Sequence, residues 1–336
     1  MATLLRSLLF SLPLLSTLLP QAHSAEPTTF TAPKFTAAQS CQSASCHGGG
    51  VGKDQSVIWE KKDVHSRAFA TLSTTRSDRM GEALKIPDQT KSARCIVCHS
   101  PLTAVMPDQF VKGARPDKAV SCESCHGPAE PWLRFHTRPD VTHEQRVSAG
   151  LRELEDLYGR ANTCVACHLN IDSGLVTAGG HPELIFELDG QMNSEPPHYK
   201  DKGTWIGPRA WLTGQAVALR ELSWKLSKTR EDDLVPRWKA LAWLLRRTEF
   251  ATPNLSETGD FSNVQFAADR LARSAARSVW SKEKTAKQLR DYVTLSTAFR
   301  DVNTDPADQR RRGEVLLPAI DLVALGDHCD VVSRVV

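Results

Sequence analysis

The amino-acid sequence predicts a mainly α fold built in two styles: loops and short helices wrapped around bulky groups up to about residue 200, followed by a C-terminal helical bundle. Three observations predict it. Eight of the nine cysteines fall into four Cys–Cys–His motifs between residues 41 and 168. The same region has little apolar periodicity, with Pro101, Pro107, Gly113 and Pro116 breaking residues 100–121. Beyond residue 200 cysteine is absent until Cys329, and amphipathic stretches follow one another.

The first stretch reads as a leader. Arg6 precedes an apolar run from Leu8 to Leu19, broken by Pro13, and Ala22-His23-Ser24 supplies small residues around a cleavage site. The run is too short for a membrane span, and an uncleaved anchor is the alternative. We expect residues 1–25 to be a signal peptide, residues 26–200 a cofactor-binding domain and residues 201–336 a helical C-terminal domain. No later segment reaches spanning length, so no integral membrane span is expected. The mature chain is then exported, to the periplasm in a bacterium.

Residues 26–40 are Thr-, Ala- and Pro-rich and read as an extended leader into the first motif, Cys41-Gln-Ser-Ala-Ser-Cys46-His47. Gly48-Gly49-Gly50 then gives the chain freedom to turn. Residues 56–72 look helical, with Trp59, His65, Phe69 and Leu72 near one face. Residues 73–92 read as a polar loop, and the second and third motifs follow: Cys95-Ile-Val-Cys98-His99 and Cys122-Glu-Ser-Cys125-His126. Thr142 and Gln145 form a capping box, and Val147, Leu151, Leu154 and Tyr158 continue at helical spacing up to Gly159, leading to the fourth motif, Cys164-Val-Ala-Cys167-His168. His143, in the first turn of that helix, reads as solvent-facing. His181 and His198 lie in stiff turns beside Pro182 and after Pro196-Pro197. Five amphipathic helices are expected at 208–228, 236–247, 262–281, 284–300 and 306–325, the third with Phe266, Leu271, Ala275 and Val279 as its stripe, the last started by Asp305-Pro306.

Two thiols followed at once by histidine suit covalent attachment of haem c: the thiols add to the porphyrin vinyl groups and the histidine binds the iron. Zinc knuckles and disulfides also use paired cysteines, but neither needs a histidine directly after each pair. Four haems are therefore expected, on Cys41, Cys46, Cys95, Cys98, Cys122, Cys125, Cys164 and Cys167, with His47, His99, His126 and His168 as proximal ligands. Of eleven histidines, His23 leaves with the leader and four are proximal. That leaves His65, His136, His143, His181, His198 and His328. Setting aside His143 and the tail residue His328, the candidate distal ligands are His65, His136, His181 and His198. Haems also supply apolar bulk where the chain offers little of its own.

Charge excludes one class of partner. The chain has 42 basic and 39 acidic residues, and 41 against 39 once Arg6 is removed. Each haem brings two propionates, with iron and porphyrin contributing one positive charge when ferric and none when ferrous, so four haems take the formal charge from +2 to about −2 oxidised and about −6 reduced. Mild basicity is then no argument for nucleic acid. The basic excess after residue 200 could attract an acidic redox partner, or simply be a solvated helical face.

The order of the four motifs, the run Trp59, His65, Ser66, Arg67, Ala68, Phe69, the Cys125-His126-Gly127-Pro128 run with His136 ten residues on, and Ala178-Gly-Gly-His181-Pro with Pro-Pro-His198 resemble the cytochrome c-554/c-prime family of multihaem electron carriers. The resemblance covers about residues 36–225, and Arg209, Trp211, Gly214 and Gln215 resemble the helix after the haems in larger members. Such members often continue to a further Cys-x-x-Cys-His site, which this chain lacks. The resemblance implies a mainly helical core of four closely stacked haems. It also implies His136 facing the first haem, His65 the fourth, and His181 or His198 the third, leaving the haem of His99 to the remaining histidine. The family's type member has one haem without a strong sixth ligand. The resulting expectation is a periplasmic relay of single electrons between a redox donor and acceptor, with no catalytic residue assigned. The alternatives are a reductase or oxidase of a small nitrogen or oxygen species at a five-coordinate haem, and a haem-bearing subunit of a larger redox complex.

Overall fold

The computed structural model describes residues 32–198, 206–229, 231–250, 254–258 and 260–332. The signal-peptide expectation falls outside them. Pro33–Val336 gather into one compact unit, and the only pairing of extended backbone among the described residues is an isolated bridge between Phe35 and Phe110. The molecule is otherwise helical, and no described helix is long and apolar enough to cross a membrane.

The first part is made of short helices: α1 (Gln55–Lys62), α2 (Thr75–Leu84), α3 (Ala93–His99), α4 (Cys122–His126), α5 (His143–Ser148), α6 (Leu157–His168), α7 (Ser173–Thr177) and α8 (Leu188–Ser194). Three boundaries depart from expectation, each for a local reason. The helix expected over 56–72 stops at Asp63, whose side chain turns inward to accept the His65 N–H and cap a 3-10 turn over Val64–Arg67. The polar segment after residue 73 is not a loop. Thr74 caps α2, which ends at Lys85 in the left-handed region, φ 55°. The helix begun by Thr142 has the capping box, yet it ends at Ser148, because Gly150 takes φ 110° and the Arg152 N–H bonds His126 O at 2.9 Å. A new helix, α6, then starts from Asp156, whose side chain accepts the Gly159 N–H at 2.9 Å.

Residues 33–40 are pinned rather than merely extended. Glu123, fully buried inside the third motif, accepts the Thr36 N–H at 2.9 and 3.1 Å and the Ala129 N–H at 2.7 Å. Asp117 accepts the Ala38 N–H at 2.9 Å. Gly48 is required by close approach rather than by turning freedom: a Cβ there would lie 2.0 Å from Gln42 O.

All five C-terminal helices form: α9 (Gly207–Lys228), α10 (Val235–Leu245), α11 (Phe261–Arg277), α12 (Lys282–Thr294) and α13 (Pro306–Val332). Helix α9 is buried on nearly every side from Ala210 to Leu219 and is central, packed by α6, α8, α10, α11 and α13. The stripe expected on α11 is rotated. Val264, Ala267, Ala268, Leu271 and Ala275 face inward, while Phe266 and Val279 are exposed. Small residues win the inner face because α11 lies along α9 over most of its length, and alanines let two helices approach closely. The core does not stop at residue 200: Leu157, Ala161 and Val165 of α6 are buried in the same cluster as Trp211, Trp238 and Trp243.

Candidate functional site

Three of the four motifs end a helix: His99 is the last residue of α3, His126 of α4 and His168 of α6. One helical turn brings cysteines three apart onto a common face and sets the next residue beside them. The first motif, with its longer spacing, lies in turns instead. Thiols of different motifs meet: Cys41 lies within hydrogen-bonding reach of Cys122, and Cys98 of Cys167. Cys164 acts electrostatically on Cys125. The third motif thus neighbours the first and the fourth, and the fourth neighbours the second.

The histidines pair across these motifs. The rings of His47 and His136 have centres 6.2 Å apart and are nearly parallel, at 14°. His65 faces His168 at 6.0 Å and His181 faces His99 at 6.5 Å, with ring planes crossed at 84° and 75°. His198 is a neighbour of His126. Burial pushes the His126 imidazole down to about 4, and after burial the largest influence on it is the charge of His198. His168 is likewise lowered by burial and then by His65. Both effects favour the neutral imidazole, which is the form that binds a metal.

A metal held between two imidazole nitrogens at about 2 Å each, with each ring centre ~1.1 Å further back, sets ring centres about 6 Å apart. The three measured couples meet that requirement, so the residues fit haem iron. Two further features agree. Trp132, stacked edge-on to His136 at 5.3 Å between ring centres, has a buried indole N–H without a partner, which suits an acceptor on a bound group. An open cleft of about 680 Å³ beside the first motif is lined by Gln42, Trp59, Glu60, Arg67, Asp117 and Lys118; Arg67 and Lys118 suit propionates there, beside the carboxylates of Glu60 and Asp117.

Residues 23–127 match the family described as Cytochrome c554 and c-prime. This segment, about a third of the chain, is similar to that family. It spans the first three motifs. Cytochrome c-554 of Nitrosomonas europaea is 24% identical over 187 residues, covering 49% of this chain and 76% of that protein. No solved structure matches the chain.

Within and beyond the cytochrome c554 and c-prime segment, the second ring nitrogen of most of these histidines has an identifiable partner. His47 Nδ1 lies 3.0 Å from Gln55 Oε1, His99 Nδ1 2.9 Å from Ala68 O and 3.0 Å from Thr71 Oγ1, and His181 Nδ1 2.8 Å from Pro182 O. His136 and His198 face the carbonyls of Trp132 and Pro196, each at 3.3 Å. His65 differs: its Nδ1 lies 2.9 Å from the buried carboxylate of Asp63. These partners leave Nε2 free to bind iron. The sequence pointed to Pro182 and Pro196 as stiff turns beside His181 and His198, whereas Gln55, Asp63, Ala68, Thr71 and Trp132 were not singled out.

His143 is not free in solvent. Its Nε2 donates to Glu153 Oε2 at 2.7 Å. Side chains of residues 321–332, which include His328 and Cys329, lie outside the described ones.

Proposed function

We propose that this chain is a c-type cytochrome that relays single electrons through four covalently attached haems, each held between two histidines. The couples would be His47 with His136, His99 with His181, His126 with His198, and His168 with His65. The observation that carries the proposal is the set of ring pairs at 6.0, 6.2 and 6.5 Å, each joining a motif histidine to one from elsewhere in the chain. When bound, haem supplies one-electron ferric–ferrous chemistry.

The protein's own task is to fix distance, orientation and access. Cysteine pairs would hold each group at one edge, and paired imidazoles would fill both axial positions. The neighbour relations first to third, third to fourth and fourth to second support a file of sites in which the first and second motifs would form the two ends. Cys46, at one end, is exposed, which suits delivery of electrons to or from a docked partner. A vacant axial position is what a reductase or oxidase would need, and His181, 6.5 Å from His99 between ring centres, would fill the position that the family resemblance left in question. The apolar run at residues 8–19 supports export, and c-type haems attached after export place the relay in the periplasm of a bacterium. Redox proteins would then be its donor and acceptor.

Mass spectrometry of the exported chain should show four haem additions at the eight motif cysteines. Electron paramagnetic resonance of the oxidised protein should show low-spin ferric signals only. Three additions, with Cys41 and Cys46 unmodified, would remove the first site. A high-spin signal that responds to nitric oxide or hydroxylamine would replace the carrier with an enzyme.

A further inference from the structure

Asp63 is buried, and its Oδ1 accepts two hydrogen bonds from the same residue, 2.9 Å from the His65 backbone N–H and 2.9 Å from His65 Nδ1. Buried away from water, this carboxylate has its charge met by the two N–H groups of His65. At His47, His99, His136 and His181 the atoms within hydrogen-bonding distance of Nδ1 are amide, hydroxyl or carbonyl oxygens. Glu195 also approaches His198 Nδ1, but at 3.8 Å. His65 has a buried carboxylate within hydrogen-bonding distance of its Nδ1.

We infer that Asp63 is a positioning residue that fixes His65 to bind through Nε2 and makes the His65–His168 site the hardest of the four to reduce. This rests on the reading that those two histidines share one iron. An anionic acceptor on Nδ1 strengthens the imidazole as an electron donor through Nε2, and the fixed negative charge stabilises the ferric over the ferrous state. One electron, arriving from the neighbouring site, takes that iron from ferric to ferrous; no bond breaks and Asp63 keeps its charge. A low potential in the interior of the file, at its fourth-motif position, sets a step that electrons must climb between the two ends.

Asp63 also caps the Val64–Arg67 turn, which a merely structural role would explain. Asparagine caps as well as aspartate, so Asp63→Asn keeps the cap and removes the charge. The haem-loaded full chain, with haems counted by mass spectrometry, should be titrated spectroelectrochemically alongside Asp63→Asn, Asp63→Ala and His65→Ala. In Asp63→Asn one midpoint should rise by about a tenfold change in its one-electron equilibrium, which is 59 mV, with the same melting temperature. Asp63→Ala should show the same rise with a lower melting temperature. Four attached haems with all four midpoints unmoved in Asp63→Asn would overturn the inference, as would a rise at a haem other than the one His65→Ala alters. If His65→Ala leaves every low-spin signal intact, His65 is no ligand and the underlying reading fails instead.

Discussion

An imidazole has two nitrogens and an iron uses one, so the partner of the other decides which way the ring faces. At His181 that partner is the carbonyl of Pro182, the next residue, and the preceding Gly180 sits at φ 73°, a conformation that costs a residue with a Cβ. The ring is thus presented by its own turn. Substituting His181 by Ala should leave haem attachment untouched, since no thiol is involved, and convert one haem to a high-spin ferric state by removing its sixth ligand. Electron paramagnetic resonance reads this directly, and His143→Ala, whose ring is engaged by Glu153, should leave the spectrum unchanged. At this scale the sequence was informative where chemistry is local. The motif cysteines and histidines are adjacent in the chain, and the four distal candidates followed from counting. The assignment of His181 to His99 was not legible, because it depends on which turn approaches which helix across about eighty residues. Asp63 escaped notice because an aspartate before a polar turn reads first as a cap.

Helices were legible where one face alone decides them, and illegible where a distant backbone group competes. Helix α9 was expected within a residue of its start, and Pro208 in its first turn and lysines in its last turn are the signals that place it. Over 142–158 the apolar spacing fits one helix, yet Gly150 and the bond from Arg152 to His126 divert the chain to serve the third motif. Close packing imposes a second kind of constraint. A Cβ on Gly214 would lie 2.6 Å from Leu188 Cβ and 3.0 Å from Leu188 N, so α8 and α9 meet at a glycine and the obstructing atoms include backbone. Gly214→Ala should therefore destabilise the protein despite alanine's better helix propensity, by about 1–3 kcal/mol for the overpacking. Chemical denaturation of the haem-loaded protein checks it; equal or greater stability would show that α8 moves aside without cost.

Across the whole molecule, the change of style near residue 200 is a change of composition more than of packing. Helix α6 carries the fourth motif, but its inner face belongs to the core of the C-terminal helices. Tyr158 donates to Asp269 at 2.6 Å, and Arg220 of α9 bonds both, at 3.1 and 2.9 Å. Lys225 reaches Ile171 O at 2.7 Å, and Arg237 reaches Leu184 O at 2.7 Å. A chain ending at Lys202 keeps every motif and every distal candidate, so it should still carry four haems and be red. It should nonetheless melt well below the full chain, because Leu157, Ala161 and Val165 would pass from a dry core to water at roughly 1–3 kcal/mol each, and Tyr158 and Asn162 would lose their partners. By the same reasoning the full chain should unfold in one calorimetric transition, since a core shared across the boundary couples both parts. Two separated transitions, with the lower or upper one reproduced by the truncated chain, would show instead that the parts on either side of residue 200 fold as independent domains and that the contacts of α6 with α9 and α11 contribute little.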